Sequence, residues 1–119
     1  MTADQKNPIL KKLIIDLEKQ SRKQKVNIWQ RVAADLSRPT RIMRTVNVSS
    51  IARNTQANNA IIVPGKVLAS GVIAHAVNVV AYTVSDAAKQ KIVAAGGSVK
   101  SIRDEMEKNP KGSALRIIG

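Results

Sequence analysis

Pro39 divides this chain into two stretches with different apolar rhythms, and that break limits the folds open to it. Before it, Ile9, Leu10, Leu13, Ile14 and Leu17 recur at helical spacing, with Lys11, Lys12, Glu18 and Lys19 on the other side. Asn7-Pro8 reads as the start of this helix, with Asn as N-cap and Pro at the first helical position. The stripe fades in the polar, basic "KQSRKQK". A second helix starts near Asn27, and Ile28, Trp29, Val32, Ala33 and Leu36 repeat the pattern. It should stop by Arg38, because a residue before proline is pushed out of helical geometry. The two helices form a hairpin that is too short to be stable alone, so it has to pack on the rest of the chain.

Beyond Pro39 the period becomes that of strands. "TVNVSSIA" alternates Val46 and Val48 with polar residues, as a half-buried strand does, and "ARNTQANN" reads as a polar turn. "AIIVPGKVL" is β-branched and apolar, broken by the turn dipeptide Pro64-Gly65. "AVNVVAYTV" is another strand. Ser85 or Asp86 caps a helix over "DAAKQKIVAAGG", ended at Gly96-Gly97 by a left-handed glycine stop. "SVKSI" is a short strand, "IRDEMEKNP" a short helix stopped at Asn109-Pro110, and "SALRIIG" a closing strand. The expected class is α/β in one domain, 1–119, with a helical hairpin extension at 1–38 and an α/β core at 39–119.

Charge points to the partner. Twenty basic residues face eight acids, a net charge of +12, and no acid occurs between Leu36 and Lys66. A surplus this large on a small domain calls for a polyanion: RNA, DNA or an anionic membrane surface. No apolar run approaches the length of a membrane span, and the bulky aromatics of an interfacial helix are missing, so no membrane partner is expected. One Trp and one Tyr are too few for a base-stacking platform. With no cysteine and a single histidine, His75, no zinc site can be built and no metal is expected. The N-terminal "MTADQKNP" has no signal-peptide core, which makes the cytoplasm the expected compartment.

The acid-free stretch carries Arg38, Arg41, Arg44 and Arg53. A guanidinium is a flat two-pronged donor that matches two phosphate oxygens. A second basic group comprises Lys19, Arg22, Lys23, Lys25 and Arg31, of which Lys19, Arg22 and Lys23 share a helix face. A solvated loop and a soluble amphipathic helix are the plainer readings. The absent acids and the large net charge favour nucleic acid. "IIVPGKVLASG" is no phosphate loop, since Val67 follows Lys66 where a Ser or Thr is needed. His75 has no sequence neighbour to orient it as a base, Asp86 reads as capping, and Ser49 and Ser50 have no base nearby. No catalytic residue, cofactor or small-molecule substrate is expected.

"AIIVPGKVLASG" followed by "VNVVAYTVSDAAKQKIVAAGGSV" resembles the eighteen-e family of archaeal and eukaryotic large-subunit ribosomal proteins, and also the end of bacterial large-subunit ribosomal protein fifteen. The likeness rests on Lys66-Val67-Leu68, Gly71, Val79-Val80-Ala81, Ser85 and Ala95-Gly96-Gly97. "SRPTRIMRTVNVSSIAR" and "NPKGSALRIIG" are similar to that family's signature and closing turn, so the likeness runs from Asn7 to Gly119. Eukaryotic members continue into a long basic tail, so the resemblance leans to the archaeal type. It implies an α/β domain of irregular β-β-α turns, binding to large-subunit ribosomal RNA, and contacts with neighbouring large-subunit ribosomal proteins. By motif it makes Arg38, Arg41, Arg44 and Arg53, then Lys66, the RNA-facing candidates. A free-standing basic DNA- or RNA-binding regulatory module is the alternative, with a small enzyme as a weaker one.

Overall fold

The structure, a computed structural model, describes residues 8–37 and 44–118. Arg38, Pro39, Arg41 and the expected Asn7 cap lie outside the described residues. Five helices and five strands follow one another along them: α1 (Pro8–Gln24), α2 (Ile28–Leu36), β1 (Arg44–Asn47), α3 (Val48–Asn54), β2 (Asn59–Leu68), β3 (Val77–Val84), α4 (Asp86–Ala94), β4 (Ser98–Ser101), α5 (Ile102–Lys108) and β5 (Leu115–Ile117).

All the strand pairings are parallel, and the sheet runs β1-β2-β3-β4 with β5 also on β2. β5 aligns with Ala60–Ile62 and β1 with Gly65–Leu68, so the two short strands lie end to end along one edge of β2. A parallel sheet is buried on both faces, and consecutive residues of its inner strands feed opposite cores. Ile62 and Val80 join Leu13, Leu17, Trp29, Leu36 and Ile102 on the face covered by α1, α2 and α5. Ile61, Val63, Val79 and Ala81 join Ile51, Ala88 and Ile92 on the face covered by α3 and α4. The N-terminal hairpin, expected as an extension, thus forms a full layer over one side of the sheet.

Local signals account for most boundaries. The α1–α2 turn closes with buried Ser21 donating through Oγ to the Val26 carbonyl. Asn27 occupies the N-cap position of α2, but its side chain makes no capping bond. Of the two candidate caps for α4, the side chain of Ser85 accepts from Ala88 N–H at 3.2 Å, while Asp86 is the first helical residue. Gly96, at φ +91°, ends that helix as expected.

Two expectations fail in instructive ways. The "TVNVSSIA" strand ends at Asn47, and Val48 starts α3, whose Val48 and Ile51 sit three apart on one buried face. Pro64-Gly65 is a bulge inside a continuous β2, not a turn: Val63 pairs Ala81 and Lys66 pairs Thr83, leaving one extra residue on β2. Pro64, which has no N–H to give, falls between the stretches claimed by β5 and β1.

The β2–β3 link is unusual for a parallel pair because no helix fills it. Asn59 aligns with Val77, so residues 69–76 must return the whole length of β2. Both distances come to about 30 Å at ~3.3 Å per residue, so the link is nearly taut. It is pinned by Lys91 Nζ donating to Ala69 O at 2.6 Å and Gly71 O at 2.7 Å, and by Ile73 buried in the second core.

Trp29 anchors the hairpin. It is fully buried, and its Nε1–H donates to Pro110 O at 2.6 Å. Trp29→Ala is expected to destabilise the fold by about 3–5 kcal/mol in urea unfolding, through lost packing and a cavity. Trp29→Phe, which keeps a ring and loses chiefly the hydrogen bond, should cost nearer 1 kcal/mol from the bond.

Candidate nucleic-acid interface

The basic residues fall into two neighbouring groups. Lys19, Arg22 and Lys23 are exposed on the last turns of α1, and Lys25 is exposed in the turn that follows. Spacings of three and four put the first three on one helix face, as expected. Arg22 also lines a cleft of about 370 Å³ with Glu18 and Ser21 of α1 and Gln30 and Ala34 of α2, so an acid stands beside it there.

The second group gathers around β5. Arg116, exposed on that strand, lines three adjoining clefts. One, of about 350 Å³, adds Arg31, Asn27 and Ile28 from the start of α2. The next, of about 610 Å³, adds Thr45, Asn47 and Ser50 from β1 and α3. The third, of about 720 Å³, adds Arg53, Thr55, Gln56 and Asn59. No acid lines any of the three, and they carry Arg31, Arg53 and Arg116 along one edge of the sheet. The register positions this edge: β5 and β1 meet there on β2, and α3, leaving β1, brings Arg53 and Asn54 alongside. Arg116 is steadied by donating through Nη2 to the Asn54 carbonyl. That bond uses one of the five donors of a guanidinium.

Carboxylates meet some of the other cations. Arg103 Nη1 lies 3.1 Å from Asp16, Arg44 Nη2 lies 3.5 Å from Asp35, and Lys100 Nζ lies 3.9 Å from Glu105. Arg31, Arg53, Arg116, Lys19, Arg22 and Lys23 are in none of these pairs. Arg44, expected to face outward with its neighbours, is thus half-buried against Asp35. Lys66 is exposed on β2, beside Thr45 and Thr83 in register. Arg38 and Arg41 lie outside the described residues.

Other candidate chemistry resolves into structure. His75 Nε2 and Thr55 Oγ1 are 2.9 Å apart, and Thr55 Oγ1 donates to Ile51 O at 2.7 Å. A hydroxyl has one proton, so His75 Nε2 is the donor and the ring serves as a tether. Among the described residues no cluster of three His, Cys, Asp or Glu could hold a metal, and no helix is long and apolar enough to cross a membrane.

Arg116 is the residue that sequence reasoning missed. The signal was present: after Glu107 the chain carries Lys108, Lys111 and Arg116 with no acid, and Arg116 stands between the less exposed Leu115 and Ile117.

Comparison with known proteins shows the family. A family model described as ribosomal proteins 50S-L15, 50S-L18e and their 60S counterpart matches residues 10–100. The chain is similar to large ribosomal subunit protein eL18 of Methanospirillum hungatei, at 44% identity over 97% of this chain and 95% of that relative. It is similar to the same protein of Methanothermobacter thermautotrophicus, at 43% identity over 94% and 93%. The counterpart in Archaeoglobus fulgidus is 41% identical over 94% and 96%.

At 3.5 Å the Arg44–Asp35 contact is longer than a strong charge-assisted bond, and both groups keep some solvent. A double-mutant cycle with Arg44→Ala and Asp35→Ala should return a coupling of at most about 1 kcal/mol in thermal or urea unfolding.

Proposed function

We propose that this chain, which belongs to the family of ribosomal proteins 50S-L15, 50S-L18e and their 60S counterpart, neutralises phosphates of folded large-subunit ribosomal RNA so that mutually repelling RNA segments can pack. It is a structural protein of the large ribosomal subunit and not an enzyme, as its relatives are. Its place of work is the ribosome, in the cytoplasm. The observation that carries the RNA-binding reading is the edge around β5, where Arg31, Arg53 and Arg116 line adjoining clefts without any acid.

Lys19, Arg22, Lys23 and Lys25 extend the basic surface around the hairpin, and Lys66 adds a charge on β2. Arg38 and Arg41 stand in sequence between α2 and β1 and contribute to the same RNA contact. Arg44 joins them by exchanging its long contact with Asp35 for phosphate. Most contacts go to phosphate and sugar, and the shape of the RNA selects the site. Exposed apolar residues, Val72 at 77% and Val93 at 53%, supply surface for neighbouring ribosomal proteins.

Binding through phosphates releases counterions, so affinity falls steeply with salt. Arg53→Ala combined with Arg116→Ala should weaken binding to large-subunit RNA fragments. It should also reduce the slope of log affinity against log salt by about 1.4–1.8, two phosphate contacts' worth. Arg41→Ala with Arg44→Ala should act in the same direction. Slopes unchanged from wild type in both double variants would rule out phosphate contact by these arginines.

A further inference from the structure

We propose that the cleft beside Arg53 and Arg116 receives one unpaired nucleotide of the bound RNA, with its phosphate on the two arginines and its base edge on Asn54 and Asn59. The inference rests on the RNA-binding reading above and specifies which part of the RNA this site takes.

Size comes first. The cleft lined by Arg53, Asn54, Thr55, Gln56, Asn59 and Arg116 holds about 720 Å³ and adjoins the 610 Å³ cleft through Asn54 and Arg116. The cleft is open to solvent, and a single nucleotide can lie in it.

The chemistry of the walls decides between a nucleotide and a bare phosphate. Asn54 Nδ2 donates one of its two N–H groups to Ser50 O at 2.7 Å, which leaves its second N–H and the Oδ1 acceptor. Asn59 Oδ1 accepts from Gln56 N–H at 2.9 Å, which occupies one of its two lone pairs and leaves the whole NH2 donor. Neither leftover group has another partner among the described residues. The cleft therefore offers a spare acceptor and a spare donor beside two arginines. A phosphate, which only accepts, would waste the Asn54 oxygen. A base edge carries donors beside acceptors and can satisfy both.

The base must also be free. In an RNA helix the major groove is too deep and narrow for side chains to read, and sequence is read on splayed-out bases. Such bases stack on aromatic rings or on guanidinium planes. No aromatic ring lines this cleft, but Arg116, held by the Asn54 carbonyl, supplies a plane.

The test compares an RNA duplex of about 16 base pairs with the same duplex carrying one central unpaired nucleotide, each base in turn, by fluorescence anisotropy at low salt. Wild-type protein should bind at least one bulged duplex about tenfold tighter than the perfect one. Asn59→Ala should bring that ratio close to one. If Asn59→Ala does not fold, Asn59→Ser keeps a small acceptor for the turn and lacks the amide donor, and should give the same result. Lys19→Ala with Lys23→Ala should weaken binding to both RNAs alike and leave the ratio unchanged. A wild-type ratio near one for all four bases, or a ratio that survives loss of the Asn59 amide, overturns the nucleotide site while RNA binding stands. Failure of wild type to bind any of these RNAs at low salt overturns the RNA-binding reading itself.

Discussion

Backbone hydrogen bonding along both edges of β2 is the constraint on which this fold depends. Its interior faces two cores, with Ile61 and Val63 on one side and Ile62 on the other, so water cannot serve its peptide groups. β3 takes one edge, and the other is divided between β5 and β1. The division leaves Val63 and Pro64 between the two ladders, where proline costs no ladder bond. Gly65 follows, and a Cβ there would collide with the Arg44 carbonyl. One strand therefore determines where the hairpin docks, how closely β1 approaches, and where the two short strands meet. The acid-free clefts lie at that meeting point, so the basic surface follows from how the sheet is closed.

Electrostatics alone would spread so many cations apart. The fold instead places part of the small acid complement close to cations that serve structure: Asp16 with Arg103 ties α1 to α5, and Glu105 with Lys100 ties α5 to β4. Each such pair is worth little. Their effect on the surface is larger, because acids used in this way are absent from the clefts around β5. Two walls of that site come from residues about sixty positions apart in the chain, held together by the parallel pairing of β5 with β2.

Legibility in the sequence followed the range of the interaction. The helices α1, α2, α4 and α5 could be read because apolar spacing, the Asn27 and Ser85 cap positions and the Gly96 and Asn109-Pro110 stops are local. β3, β4 and β5 could be read from β-branched runs. α3 could not: the Val46–Val48 alternation runs into its first residue, and Asn47 makes no side-chain capping bond. The bulge at Pro64-Gly65 was hidden because a dipeptide that turns a free chain is absorbed in a strand when no partner needs its N–H. At the interface, Lys19, Arg22, Lys23, Arg31 and Arg53 could be named from charge density. Arg116 could not, since its importance comes from lying beside Arg53 and Asn54. Arg44's position against Asp35 depends on where β1 lies relative to α2, which composition does not encode.

β5 is the last of the five strands to be made, yet it completes the edge that β1 shares. During synthesis, β2 must wait with half of one flank open until residues 115–117 leave the exit tunnel. The guanidinium at the junction of the three clefts arrives on that same strand. Closure of the sheet and completion of its basic edge are thus one event, and a chain released early would lack both.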